Sequence, residues 1–113
     1  MNLETKKSLH DVLAAAREIG EYTAGFDFPA YQKNGMAQAA VERKFEIIGE
    51  ALNRIARLDP NNLAKISDSQ RIIGFRNIIA HGYDMVDIEI VWDAVKHYLP
   101  VLVREIEALL SEK

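Results

Sequence analysis

Hydrophobic residues recur at helical spacing in four segments of this chain, and each segment predicts an amphipathic helix. The first segment follows Asn2, a candidate N-cap, and its apolar face consists of Leu9, Val12, Leu13, Ala16, Ile19 and Thr23. The second, from about Met36 to Leu58, has apolar stripes on two faces, which predicts a central helix with neighbours on two sides.

The other two predicted helices are defined by cap signals. Ser67 and Gln70 have the form of a capping box, followed by a helix to about His81. Asp87 is a candidate cap for the last helix, in which Pro100 predicts a kink. Residues 26–34, 59–62 and 82–87 are expected to be loops. Since each helix must bury its stripe, the pattern predicts an all-α, up-and-down bundle of four to five helices, with residues 1–113 as a single domain.

Composition narrows the function classes. The 113 residues include no cysteine, which excludes a disulfide framework, a thiolate zinc site and a cysteine nucleophile. A formal charge of −3 is unlike that of a general nucleic-acid binder, so any contact with RNA must be local. The N-terminus lacks the pattern of a signal peptide, and no apolar run approaches the ~18 residues needed to span a bilayer. These features predict a cytoplasmic protein without a membrane partner.

Candidate chemistry is concentrated on the third predicted helix. With Ile72, Phe75 and Ile79 in the core, a second face carries Ile73, Asn77 and His81 in one row, with Arg76 and Ala80 beside it. Arg76 and His81 are five residues apart, about 140° around an ideal helix and about 7.5 Å along it, so they do not converge on one atom within a single helix. Two-fold pairing of this face would bring two arginines and two histidines into one cleft, which predicts a homodimer or a higher oligomer built from it.

Arginine, asparagine and histidine without a serine or cysteine nucleophile suit the cleavage of RNA by its own 2′-hydroxyl. Histidine, with an ordinary pKa of about 6.5, can exchange the proton near neutral pH. Arginine can hold the phosphate and stabilise the charge that develops on its oxygens. This scheme needs neither a metal nor another cofactor.

The same residues resemble a known family. Arg76 and Asn77, followed after three residues by His81, Gly82 and Tyr83, resemble the Arg-x4-His-x-Tyr signature of HepT-like proteins in the HEPN superfamily. The runs 46–51, 72–77 and 86–92 resemble the same family, although the stretch 67–70 lacks the tryptophan often found there. The resemblance implies a dimerising HEPN-like bundle that acts as a toxin by metal-independent RNA cleavage, with tRNA among the possible substrates. It also implies an MNT-type nucleotidyltransferase antitoxin that attaches AMP to Tyr83.

Several alternatives stay open at the level of sequence. The chain could instead be a noncatalytic subunit that presents a substrate or nucleotide to a nucleotidyltransferase. Gly82 and Tyr83 also suit a helix end that packs on the core. Glu46 and Glu50 could orient Arg76 or bind a metal with His81, although Glu50 and Arg54 have the spacing of an ordinary surface pair. A stripe that includes Trp92 suits core or dimer packing first and nucleobase stacking second.

Overall fold

The computed structural model of the protein describes residues 1–80 and 87–112, and for residues 76–80 it describes the backbone. Every regular element in these ranges is helical. In chain order the elements are α1 (Leu3–Tyr22), α2 (Phe28–Gln32), α3 (Gly35–Leu58), α4 (Pro60–Leu63), α5 (Ser69–Ala80), α6 (Ile88–Asp93), a π-helical turn (Ala94–Tyr98) and α7 (Leu99–Ser111). None of the helices in the part described is long and apolar enough to cross a membrane.

The predicted caps Asn2 and Asp87 are confirmed, at the starts of α1 and α6. The Asn2 side chain accepts a hydrogen bond from the backbone N–H of Thr5 at 2.7 Å, and Asp87 accepts one from Glu89 at 2.9 Å. Each bond satisfies an N–H group that has no partner within its own helix. Local capping therefore fixes where α1 and α6 begin.

Two of the predicted loops contain short helices, so these loop predictions are corrected. Asp27 caps α2 through the N–H of Ala30, and Asp59 caps α4 through the N–H of Asn62. In both cases a proline in the first turn supplies a preset φ where no N–H partner is needed. The signal for both helices is thus an aspartate shortly before a proline.

The central position predicted for α3 is confirmed. It packs against α1 on one side and α5 on the other, while α7 packs against α1. One predicted stripe of α3 is buried along its full length: Ala37, Val41, Phe45, Ile48, Leu52 and Ile55. The second stripe is covered only in part, because Ala51 is buried whereas Leu58 at its end is exposed. The result is an all-α bundle, as the amphipathic pattern predicts.

The interruption at Pro100 takes the form of a π-helical turn immediately before the proline. In this turn the N–H of Leu99 bonds to the carbonyl of Ala94, five residues earlier. Proline lacks an N–H and its ring clashes with the carbonyl four residues before it, so a regular α-helical bond at this point is not available. A π turn absorbs the defect within a helix that continues to Ser111.

The predicted capping box at Ser67 is wrong. Helix α5 begins two residues later, at Ser69, and Ser67 bonds to α7 instead. Its N–H donates to one carboxylate oxygen of Glu105 at 3.1 Å, and its hydroxyl donates to the other at 2.6 Å. A tertiary partner with two charged acceptor oxygens thus outcompetes the local cap.

Candidate functional site

Helix α5, which carries the first half of the motif, is held in the bundle by apolar side chains. Ile72 is fully buried and Phe75 is 8% exposed, as predicted. The Phe75 ring packs edge-on against Phe45 of α3, with ring centroids 5.9 Å apart and planes inclined at 67°. Ile73 is also buried, so its position on the second face is covered within the subunit and is not free for a partner.

The predicted site residues lie at and just beyond the C-terminal end of this helix. Arg76 and Asn77 are in its final turns, and the helix is described as far as Ala80. The side chains of Arg76 and Asn77, and all of His81 and Tyr83, lie outside the described residues. The convergence of these side chains on one site therefore stays a prediction. The structure does describe the backbone of α5, the helix that carries Arg76 and Asn77.

Two contacts fix the N-terminal half of α5 against the π turn and α7. Ser67, just before the helix, is bonded to Glu105, and Arg71 in its first turn reaches Tyr98 at the end of the π turn. The Arg71 guanidinium donates a hydrogen bond to the Tyr98 hydroxyl and has its central carbon 4.8 Å from the ring centroid. Polar and cation–π contacts thus fix the end of α5 opposite the motif.

A cleft of about 490 Å³ lies between α5 and the helix that follows the motif. The lining residues come from both sides of the motif in the chain: Arg71, Phe75, Asp87, Glu89, Ile90, Asp93 and Tyr98. Phe75 directly precedes Arg76, and Asp87 is the first described residue after the 81–86 segment. Aromatic and aliphatic groups, one guanidinium and three carboxylates therefore line the space next to the motif.

The helix on the far side of this cleft is supported by aromatic stacking. Tyr31 of α2 is fully buried and stacks on Trp92 of α6 with ring centroids 4.9 Å apart, and the Lys96 ammonium lies 5.3 Å from the Trp92 centroid. Burial, together with the charge of Glu42, raises the pKa of the Tyr31 hydroxyl. Trp92 therefore packs against the core cluster, as its sequence pattern predicts first.

Charged residues of α3 form ion pairs both within the helix and with α1. Glu46 pairs with Arg43 at 3.3 Å, and Arg54 reaches Asp11 of α1 at 3.3 Å. Burial and the nearby Glu46 raise the pKa of the Glu42 carboxyl. No group of three or more metal-ligating side chains is found among the residues that the structure describes.

Sequence reasoning missed the cleft and three of its polar members. Arg71, Asp93 and Tyr98 have no motif in common, and in a regular α-helix Asp93 and Tyr98 would be about 140° apart. The π turn between them has more residues per turn than an α-helix, so it reduces this angle, and both side chains line the cleft. The sequence signal for this π turn was Pro100, because a proline predicts an interruption of the helix that contains it.

The fold is an all-α bundle in which α5 carries Arg76 and Asn77 of the motif. A family model described as ribonuclease HepT-like matches residues 12–109. The chain therefore belongs to the HepT-like ribonuclease family.

Curated relatives agree with this assignment. A protein of Methanocaldococcus jannaschii that is named as an RNase is 33% identical over 92% of this chain and 94% of its own length. A Thermococcus cleftensis protein that is named as a ribonuclease HepT is 30% identical over 96% of this chain and 98% of its own. A second M. jannaschii protein with an RNase name is 28% identical over 96% of this chain and 93% of its own length. No solved structure matches the chain.

Proposed function

We propose that this chain is a metal-independent endoribonuclease whose catalytic residues are Arg76, Asn77 and His81. The observation that carries the proposal is the position of the Arg-x4-His-x-Tyr motif. It lies within the span that matches the HepT-like family, at the end of a helix that is packed into the core. Arg76 and Asn77 thus lie on a helix that Ile72 and Phe75 anchor in the core, and such an element is where a preorganised site is expected.

In the proposed reaction the 2′-hydroxyl oxygen of the RNA attacks the neighbouring phosphorus. The new P–O2′ bond forms as the P–O5′ bond breaks, which gives a 2′,3′-cyclic phosphate and a 5′-hydroxyl end. His81 takes the proton that leaves the 2′-hydroxyl and returns a proton to the 5′-oxygen as the P–O5′ bond breaks, and Arg76 stabilises the negative charge on the phosphate oxygens. In this proposal the side-chain amide of Asn77 donates a hydrogen bond to a phosphate oxygen.

We further propose that the active unit is a homodimer of this 1–113 domain. Arg76 and His81 are separated by about 140° and about 7.5 Å on an ideal helix, so a second copy is needed to bring complementary groups to one phosphate. Sedimentation at micromolar concentration is expected to give a dimer mass. A monomer that still cleaves RNA at full rate would refute this part of the proposal.

The regulatory proposal concerns Tyr83. It states that the protein is a cytoplasmic toxin and that an MNT-type nucleotidyltransferase antitoxin transfers AMP to the Tyr83 hydroxyl. The adduct adds bulk and negative charge beside a site that must admit an anionic backbone, so it opposes RNA entry. Tyr83→Phe should stay toxic during co-expression with the antitoxin, and its intact mass should lack the AMP increment that wild type gains. Neutralisation of Tyr83→Phe without an adduct would instead indicate simple occlusion.

The experiment that tests the catalytic proposal is RNA cleavage in EDTA by matched variants. His81→Ala should lower the rate on the order of 10²–10⁴-fold, and Arg76→Ala about 10²–10³-fold, because they remove acid–base catalysis and charge stabilisation. His10→Ala and Arg57→Ala remove the same residue types at exposed positions on other helices and should leave the rate unchanged. Cleavage that stops in EDTA and returns with a divalent ion would contradict the metal-free reaction. No cleavage under any condition would favour the noncatalytic subunit.

A further inference from the structure

The cleft between α5 and α6 has a lining that the catalytic proposal does not use. Its members include Tyr98 and Phe75, the Arg71 guanidinium, and the carboxylates of Asp87, Glu89 and Asp93. Its volume of about 490 Å³ falls within the range of about 300–1,000 Å³ that is typical of ligand pockets. A ligand for this cleft must therefore suit aromatic rings, a guanidinium and carboxylates together.

The π turn gives this cleft its particular set of side chains. Asp93 immediately precedes the turn and Tyr98 ends it, and both line the cleft. π turns inside α-helices often occur at functional sites, because they change which residues share a face. Here the turn combines a carboxylate with a phenol ring.

The flat part of the cleft consists of Tyr98 and Arg71. The Arg71 guanidinium lies 4.8 Å from the Tyr98 ring centroid and is bonded to its hydroxyl, so both groups are held in place. Unstacked RNA bases commonly stack on tyrosine rings and on guanidinium planes. Because the Arg71 guanidinium lies over the Tyr98 ring, a base that stacks on the outer plane of the guanidinium would extend this stack.

Asp93 is the carboxylate of the cleft that directly precedes the π turn ending at Tyr98, which makes it the candidate to read the edge of a base. One of its oxygens lies 3.5 Å from His97 Nε2, and its side chain is 52% exposed. Asp87, in contrast, already uses one carboxylate oxygen to cap α6. A carboxylate accepts two parallel hydrogen bonds, and guanine is the RNA base that presents two neighbouring N–H donors, N1–H and N2–H, on one edge.

We propose that this cleft is a nucleobase subsite of the ribonuclease, in which the base stacks on Arg71, Tyr98 supports the guanidinium from below and Asp93 selects guanine. The proposal rests on the proposed function, since the subsite serves a nucleotide near the cleaved bond. On α5, Arg71 and Arg76 are separated by about 7.5 Å along the helix axis and by about 140° around it, so the base in the cleft belongs to a nucleotide beside the one whose phosphate Arg76 contacts. A phosphate in the cleft itself is disfavoured, because three carboxylates repel it.

The first test is cleavage of a random single-stranded RNA pool, with the new ends mapped by sequencing. Wild type should prefer guanine at one position near the cut, and Asp93→Asn should reduce that preference roughly ten-fold or more, which is the discrimination typical of a bidentate contact. Glu21→Gln removes an exposed carboxylate on α1, and His97→Gln removes the neighbour of Asp93 while it keeps the carboxylate. Both control variants should keep the wild-type preference.

The second test does not depend on cleavage. A short 2′-O-methyl RNA, which lacks the attacking hydroxyl, carries either one guanosine or one inosine, and its binding is followed by fluorescence anisotropy. Inosine lacks the N2 amine, so wild type should bind the guanosine RNA roughly ten-fold more tightly, and Asp93→Asn should bind both RNAs alike.

The two tests separate this proposal from the catalytic one. An Asp93-dependent guanosine preference in binding without any cleavage would support the subsite and contradict the ribonuclease activity. Cleavage with no base preference, and equal binding of the two RNAs, would overturn the subsite and leave the catalytic proposal intact. If Asp93→Asn weakened binding of an arginine-rich peptide and left RNA unaffected, the cleft would be a protein-docking surface and the subsite would likewise be overturned.

Discussion

Replacing Phe75 by leucine should loosen the helix end that carries Arg76 without unfolding the protein. Phe75 is 8% exposed and packs edge-on against Phe45 at 5.9 Å. Such aromatic pairs contribute about 0.5–1.5 kcal/mol beyond burial, and a hydrophobic swap of similar volume costs less than about 1.5 kcal/mol. We therefore expect a loss of about 1–2 kcal/mol from a total unfolding free energy of about 5–15 kcal/mol.

The matched control is Phe45→Leu, which removes the other ring of the same pair. Both variants should lower the melting temperature by roughly 5–10 °C. RNA cleavage well below that temperature should fall roughly ten-fold for Phe75→Leu, because it adjoins Arg76 and lines the cleft, and much less for Phe45→Leu. The double variant should show a coupling of about 0.5–1.5 kcal/mol in chemical denaturation. Additive losses within about 0.3 kcal/mol, or equal effects on cleavage, would refute the reasoning.

Three further predictions concern contacts that hold the ends of α5 and α6 and a carboxyl of α3. Glu105→Gln should destabilise by about 1 kcal/mol in thermal melts, because an amide has one acceptor oxygen where the carboxylate accepts two bonds from Ser67; an unchanged melt would contradict the contact. Asp87→Ala should cost about 1 kcal/mol through the lost cap to Glu89, whereas Asp87→Asn should keep most of it; equal losses would argue against capping. Burial raises the pKa of Glu42 above its usual 4.5, so the folded state binds this proton more tightly and stability falls as pH rises from 4.5 through the raised pKa. Glu42→Gln should therefore melt higher than wild type near pH 7 and match it near pH 4, and a lower melt at pH 7 would count against this sign.

The long helices and the main core stripes could be predicted because burial imposes a period on the sequence. The stripe from Val41 to Ile55 is buried where helical spacing puts it, and Asn2 and Asp87 form the expected local caps. These features depend on neighbours within about one helical turn, which a single sequence displays.

The errors have tertiary or special backbone causes. Ser67 has a local capping pattern, but its partner is Glu105, which lies 38 residues further along the chain. The cleft depends on a π turn that changes which residues share a face, and helical spacing of 3.6 residues hides that change. Short helices α2 and α4 went unpredicted because four or five residues show no apolar period.

The family was predictable from the sequence, whereas the roles of Arg76, Asn77, His81 and Tyr83 stay a prediction. The motif from Arg76 to Tyr83 predicts the HepT-like ribonuclease family, and the family match over residues 12–109 confirms that family. Arg71 and Asp93 were not predictable as residues of one cleft, because only the folded bundle brings them to the same space.

The central claim is that His81 exchanges the proton while the RNA supplies its own nucleophile. The most direct measurement is the chemistry of the RNA ends that purified wild type and His81→Ala produce in EDTA. The account predicts 2′,3′-cyclic phosphate and 5′-hydroxyl ends from wild type, and the same ends formed at least about 10²-fold more slowly by His81→Ala. A 5′-phosphate end from wild type, or an undiminished rate for His81→Ala, would contradict it.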